Sequence, residues 1–186
     1  MATTHIISIH VGKGKTAHQS LKERLDYIMN PEKTDGGLLI SSHACSPETA
    51  AEEFMLYRQE YLNTTGRKRG DEVLAYHVRQ AFKPGEITAE KANEIGKALA
   101  ERLTDKQHAF VVATHIDKQH IHNHIIFCAT SLDGRQKYRD VKRSAKELVQ
   151  ISDALCEEKG LSVTVFRESS FPSRQESGRW PDCQSR

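Results

Sequence analysis

The chain has 186 residues, 37% of them hydrophobic and 28% charged, with 27 Lys and Arg against 25 Asp and Glu and a net charge of +2. That length suits one domain with a real core. Near-neutrality excludes a uniformly basic nucleic-acid coat, so such contacts would come from local patches; no apolar run reaches membrane-spanning length, and the Met1–His5 start lacks the features of a signal peptide.

The apolar, β-branched stretch His5–Val11 predicts a first strand, broken by Gly12-Lys13-Gly14-Lys15. A helix follows from about Thr16 to Met29 and stops at Asn30-Pro31. Leu38–Ala44 reads as a short strand. Pro47 opens a second helix that reaches Asn63, and a basic loop spans Thr64–Gly70. Glu72–Phe82 is a strand, Lys83-Pro84-Gly85 a turn, and Thr88–Leu103 a helix. Ser144–Lys159 is a further helix ended by Gly160. Leu161–Phe166 reads as a last strand, and the polar, Ser- and Arg-rich stretch 167–186 as a linker or disordered tail. Cys45, Cys128, Cys156 and Cys183 form no Cys-x-x-Cys pair, as in a reduced cytoplasmic protein. Strands interspersed with helices point to an α+β fold, a central antiparallel sheet covered by helices.

The densest chemistry lies between these helices. His108–Asp117 and His120–Thr130 are two strands that a two-residue connection at Lys118-Gln119 would join as a hairpin. His120, His122 and His124 alternate with Ile121, Asn123 and Ile125, so the three imidazoles share one face. In that hairpin His115 faces His122, with His124 one step diagonal. The opposite face carries Phe110, Val112, Ile116, Ile121, Ile125 and Phe127, so one side is core and the other presents imidazoles. A cluster of imidazoles facing one way reads as a metal site.

The helix at 16–29 carries the second candidate. Leu21, Leu25 and Ile28 mark its buried stripe, and at 100° per residue Tyr27 lies well off it. Tyr57 and Tyr61 fall with Phe54 on one helix face and read as core. Tyr76 precedes His77 in a strand and points away from it.

His115-x-Asp117-x4-His122-x-His124 resembles the third motif of relaxases, the DNA-nicking enzymes of plasmid mobilisation and conjugation within the HUH (His-hydrophobic-His) endonucleases. Leu21–Thr34 resembles their first motif, which bears a nucleophilic tyrosine, and Tyr76–Glu86 the middle one. The likeness covers roughly residues 3–166, and it implies that residues 1–166 are a relaxase domain with the HUH-endonuclease fold. Asn123 stands where the motif has a hydrophobic residue, Cys128 where many members have Asn, and Ala81 where Ser is usual.

The resemblance implies that His115, His122 and His124 bind one divalent cation. Three protein ligands leave open positions, the pattern of a catalytic ion. Magnesium or manganese is the working ion the family implies, whereas an all-imidazole set should bind manganese, nickel or zinc more tightly than magnesium. Tyr27 is the implied nucleophile in a single-tyrosine enzyme. His77, Asp117 and Glu86 are candidate bases, and Asp117 could also accept an imidazole N–H or steady the turn. His120 is left as a further ligand, a phosphate contact or a plain surface residue. Lys13, Lys15, Arg67, Lys68, Arg69, Arg135, Lys137, Tyr138, Arg139, Lys142 and Arg143 are the candidate DNA contacts. The implied partners are single-stranded or hairpin origin-of-transfer DNA, accessory relaxosome proteins and a coupling protein in a bacterial cytoplasm, with no membrane. The alternatives are a rolling-circle replication initiator or HUH transposase, a metal-dependent hydrolase without a covalent intermediate, and a DNA-binding module that has lost catalysis.

Overall fold

The structure, a computed structural model, describes residues 2–67, 72–139 and 144–163. Five strands, β1 (Thr3–His10), β2 (Ile40–His43), β3 (Val73–Ala81), β4 (Phe110–His115) and β5 (His122–Cys128), form one sheet in the order β1-β3-β5-β4-β2. Every pairing is antiparallel. Four α-helices are described: α1 (Ala17–Ile28), α2 (Ala50–Thr65), α3 (Ala89–Leu103) and α4 (Ser144–Glu158). Pro47 opens a 3-10 turn over Pro47–Thr49 rather than α2 itself.

The local signals explain the ends. The Thr16 hydroxyl accepts from the Gln19 N–H at 3.1 Å while the Gln19 side chain accepts from the Thr16 N–H at 2.9 Å, closing a capping box on α1. Leu21, Leu25 and Ile28 are buried along α1, and Tyr27 is 52% exposed. Gly66, at φ 62°, ends α2 in the left-handed region that glycine adopts without strain.

The register of β4 and β5 pairs His115 with His122 and Phe110 with Phe127, as the hairpin pattern requires. The connection is longer than two residues. The Ile116 N–H is taken by the Lys33 carbonyl (3.0 Å), and the Ile121 carbonyl by the Phe82 N–H (3.0 Å), so both strand ends are captured by other neighbours. Ile116 is accordingly 42% exposed rather than core.

The sheet is covered on both faces, which corrects the one-sided hairpin. Helices α3 and α4 bury Val78, Phe110, Val112, Ile125 and Phe127. On the other face α1 and α2 bury Ile9, Ala75, Val111, Ala113, Ile126 and Cys128. The imidazoles occupy only the end of that second face. The apolar runs Ala109–Ala113 and Ile125–Ala129 carry the signal, because a strand buried on both faces loses its alternation. The strand expected at Leu161–Phe166 is absent over 161–163, and the rest of it lies outside the described residues.

Asn123 is fully buried on the α3 side of the sheet, away from the imidazoles. Its Nδ2 donates to the Ala92 carbonyl (2.6 Å) and to Gln80 Oε1 (3.0 Å), and its Oδ1 accepts from Thr114 Oγ1 (2.7 Å). Asn93 extends the network from Thr114 to the Leu39 carbonyl and Ser41, and Gln80 extends it to Ser152. A buried polar residue is tolerated here because its donors and acceptor are all used. Gly96 makes room for it. A Cβ there would lie 2.6 Å from Asn123 Nδ2 and 2.9 Å from Val112 Cγ1. Helix propensity alone favours Gly96→Ala by about 1 kcal/mol, but overpacking a filled core costs about 1–3 kcal/mol. We expect a net loss, read as a lower urea midpoint.

Candidate active site

The end of β4 and the start of β5 bring three imidazoles together. One ring nitrogen from each of His115, His122 and His124 lies within 4.8 Å of the others, and all three residues are buried. Burial pushes the His122 imidazole down to about 4, and burial together with the neighbouring imidazoles pushes His124 down to about 2. Burial lowers His115 as well. All three are therefore neutral at pH 7 with a lone pair to give.

Backbone carbonyls choose the tautomers, because a carbonyl only accepts. His115 Nε2 donates to the Ile28 carbonyl at 2.7 Å, which leaves Nδ1 bare. His122 Nδ1 donates to the His120 carbonyl at 3.3 Å, which leaves Nε2 bare. His124 Nδ1 lies 2.8 Å from His77 Nε2, so a proton on His124 Nδ1 leaves its Nε2 bare. Three neutral imidazoles, each held by a second partner, fit a divalent cation and leave its remaining positions to other ligands.

Helix α1 ends over this cluster. The Tyr27 ring centroid lies 6.4 Å from that of His115 and 6.2 Å from that of His124, edge-on to both. The exposed ring and the trio thus meet at one place. The segment between α1 and β2 then folds back through a series of turns. It positions Lys33, whose Nζ lies 4.6 Å from the Tyr27 ring centroid and 3.9 Å from Asp117. Lys33 was legible as part of the first motif, but only these turns show which ring it covers.

The candidate bases are placed differently from the sequence reading. Asp117 faces Lys33, and the imidazole N–H expected for it goes to the Ile28 carbonyl instead. His77 is buried, its Nε2 turned to His124, and burial with the Arg24 and Arg79 charges pushes it down to about 4. Glu86 sits beside α3, where hydrogen bonds from Ser162 hold its carboxyl down to about 2. His120 is outside the donor cluster, with its ring 5.3 Å from that of His122.

The candidate DNA contacts scatter. Lys13, Arg67, Arg135 and Arg139 are exposed. Lys15 pairs with Glu23. Lys68, Arg69, Lys142 and Arg143 lie outside the described residues. The Tyr138 ring, expected at the DNA, packs edge-on against Phe127 and Tyr76 at 4.9 and 5.1 Å. Its N–H bonds the Ala129 carbonyl, so the Arg135–Arg139 segment adjoins the end of β5 opposite His122. Arg24 and Arg79 were missed. Arg79 pairs with His124 across β3 and β5 and therefore shares its face, and Arg24 precedes Tyr27 by one helical turn.

Lys137 is likewise engaged. It and Arg58 both bind Glu72, whose side chain is 10% exposed. Burial alone would raise the Glu72 carboxyl, but hydrogen bonds from Lys137 and Arg58 hold it below the ordinary range. A carboxyl lowered in the folded state stabilises above its unfolded pKa, and that stability is lost as pH falls through the folded value. Glu72→Gln should therefore cost about 1–3 kcal/mol at pH 7. The difference from the unsubstituted chain should shrink below pH 4.5. Urea titrations at pH 7 and pH 3 check both.

Comparison with known proteins agrees with this geometry. A protein named rlx from Staphylococcus aureus is 42% identical over 109 residues, which is 58% of this chain and 34% of that protein. The group II intron-interrupted relaxase LtrB of Lactococcus lactis subsp. cremoris (strain MG1363) is 33% identical over 126 residues, covering 57% of this chain and 22% of that one. The chain thus spans about a third or less of the length of these curated relatives. Among solved structures, the MobM relaxase domain bound to a 26-nucleotide pMV158 oriT DNA superposes with a TM-score of 0.65 at 10% identity, over 94% of this chain and 96% of that one. A Mn-bound crystal structure of the same domain gives 0.62. At that identity the likeness speaks for the fold. A family model for the MobA/VirD2-like relaxase nuclease domain matches residues 27–161. The chain therefore belongs to the MobA/VirD2-like relaxases.

Proposed function

We propose that this chain is a site- and strand-specific nicking domain that cuts origin-of-transfer DNA by tyrosine transesterification. The observation that carries it is the meeting of the exposed Tyr27 ring with the buried, neutral trio His115, His122 and His124. A hydroxyl nucleophile and a cation site then face the same phosphorus.

A divalent cation held by the trio would draw charge from the non-bridging oxygens of the scissile phosphate. Manganese or magnesium is the proposed ion, and three imidazoles favour manganese over magnesium in affinity. The chain's own residues do the rest. The Tyr27 oxygen bonds to phosphorus as its proton leaves to a base or solvent, the bond to the 3′-oxygen breaks, and that oxygen takes up a proton from the same source. The products are a 5′-phosphotyrosyl strand and a free 3′-hydroxyl. The ester keeps the energy of the phosphodiester, so the reverse step rejoins the strand. Lys33 holds the ring from one side by a cation–π contact. His77 holds His124 in the ligand tautomer. His77 is thus a positioning residue in this scheme, and Asp117 positions Lys33.

Residues 1–166 form the proposed nicking domain and 167–186 a linker, which lies outside the described residues. Single-stranded or hairpin origin DNA is the proposed substrate, with accessory relaxosome proteins and a coupling protein as partners. Among the described residues no helix is long and apolar enough to cross a membrane. A metal-dependent hydrolase would use bound hydroxide, leave no covalent product and give Tyr27 no task beside the trio.

Tyr27→Phe should bind origin DNA and form no covalent adduct on a denaturing gel with manganese present. An adduct in that variant moves the nucleophile elsewhere. Replacing His122 and His124 with Ala should cut nicking by at least about 10²–10³-fold while circular dichroism still reports a folded chain. Undiminished cleavage would remove the trio from the mechanism.

A further inference from the structure

A groove runs beside the candidate active site between α1 and the β1–β3 edge of the sheet. Its walls include Ile7, Gly12, Lys15, Ser20, Arg24 and His77, and its volume is about 140 Å³. At one end it meets the imidazoles through His77, whose Nε2 lies 2.8 Å from His124. At the other it reaches the turn at Gly12 and Lys15, just before α1 begins. The twelve residues of α1 span about 18 Å at 1.5 Å per residue.

Two guanidiniums stand near the metal end, Arg24 in the groove wall and Arg79 outside the lining, on β3 opposite His124. Arg24 is exposed on α1, three residues before Tyr27. Arg79 is exposed on β3, opposite His124 on one side and His5 on the other. All of these share the face that carries the trio. Among the described residues neither Arg24 nor Arg79 has an ion-paired or hydrogen-bonded side-chain partner. The other groove charges are different. Lys15 and Glu23 neutralise each other. The groove floor is part apolar, with Ile7 42% exposed. Free arginines suit the phosphates of a single nucleic-acid strand, and the exposed Ile7 side chain beside them offers an unstacked base an apolar contact.

We infer that a single DNA strand leaves the scissile position along this groove, with Arg79 and Arg24 holding two successive backbone phosphates and Ile7 on β1 receiving an unstacked base. The track presupposes the single-strand nicking proposed above, and deepens it by placing the flanking strand on α1 and β1 rather than on the basic segments at 67–69 and 135–143. Phosphate contacts of this kind fix register without reading sequence.

The test uses a fluorescein-labelled dT16 oligonucleotide, which needs no origin sequence, and the full chain, with anisotropy read between 50 and 200 mM NaCl. Replacing Arg24 and Arg79 together with Ala should weaken binding about tenfold. It should also make the slope of log K against log salt shallower by about 1.4, or about 0.7 per phosphate contact on a single strand. Lys at both positions should restore most of the slope but less of the affinity. Lys91→Ala with Lys97→Ala removes the same charge from the exposed side of α3 on the opposite face and should leave both readouts within twofold. Unchanged binding in the arginine variant, equal losses in the two double variants, or no binding of dT16 by the unsubstituted chain each overturn the track. Thermal melting by circular dichroism confirms that the compared variants are folded. Nicking is scored apart from this, by the Tyr27 adduct on origin DNA, so either proposal can fail while the other stands.

Discussion

The hydrogen bond from His115 Nε2 to the Ile28 carbonyl joins the imidazole cluster to the helix that carries Tyr27. Ile28 is the last residue of α1, and a carbonyl there has no intrahelical donor. The carbonyls at that end also carry the negative pole of the helix dipole. The imidazole N–H therefore satisfies an acceptor that the helix leaves open. In return the carbonyl fixes the ring, chooses its tautomer and opposes the loss of basicity that burial imposes. Ile28 directly follows Tyr27, so the helix that carries the tyrosine and the strand that carries His115 cannot shift apart without breaking this bond.

The same seam is reinforced by backbone contacts. The segment after α1 returns along the edge of β4, where the Lys33 and Leu39 carbonyls accept from the Ile116 and Thr114 N–H groups. Lys33 is thereby delivered over the Tyr27 ring. Beneath the seam, on the far face, Thr114 and Asn123 share a hydrogen bond within the network that locks α3 to the sheet. The residues alternating with the imidazoles thus grip the scaffold on the α3 side while the imidazoles sit on the opposite face, beside Tyr27. An Asn at position 123 serves where an apolar side chain is usual because Gly96 admits it and Gln80, Ala92 and Thr114 satisfy it.

Charge is distributed by the same logic of position. With a net charge of only +2, the chain cannot attract a polyanion everywhere. Lys137 and Arg58 close on Glu72, Lys15 closes on Glu23, and Tyr138 is drawn into packing. Arg24 and Arg79 stay uncommitted beside the imidazoles. A basic residue in a run is thus not equivalent to a basic residue that is free, and freedom depends on what the fold brings near.

The sequence by itself determined the α+β architecture, the β4–β5 register, the shared face of the histidines and the displacement of Tyr27 from the apolar stripe of its helix. These are consequences of the periods 2 and 3.6, which neighbours along the chain reveal. It also carried the motif order that marks the family. Only the tertiary structure decided that the Ile28 carbonyl rather than Asp117 accepts the His115 N–H, that His77 contacts His124, that Lys33 covers Tyr27, and that both sheet faces are buried. It likewise separated the engaged basic residues from the free ones. Each of these is a contact between residues from different elements, His115 and Ile28 being 87 positions apart. Local periodicity says which way a side chain faces, but the partner it meets there is set by how helices and strands pack.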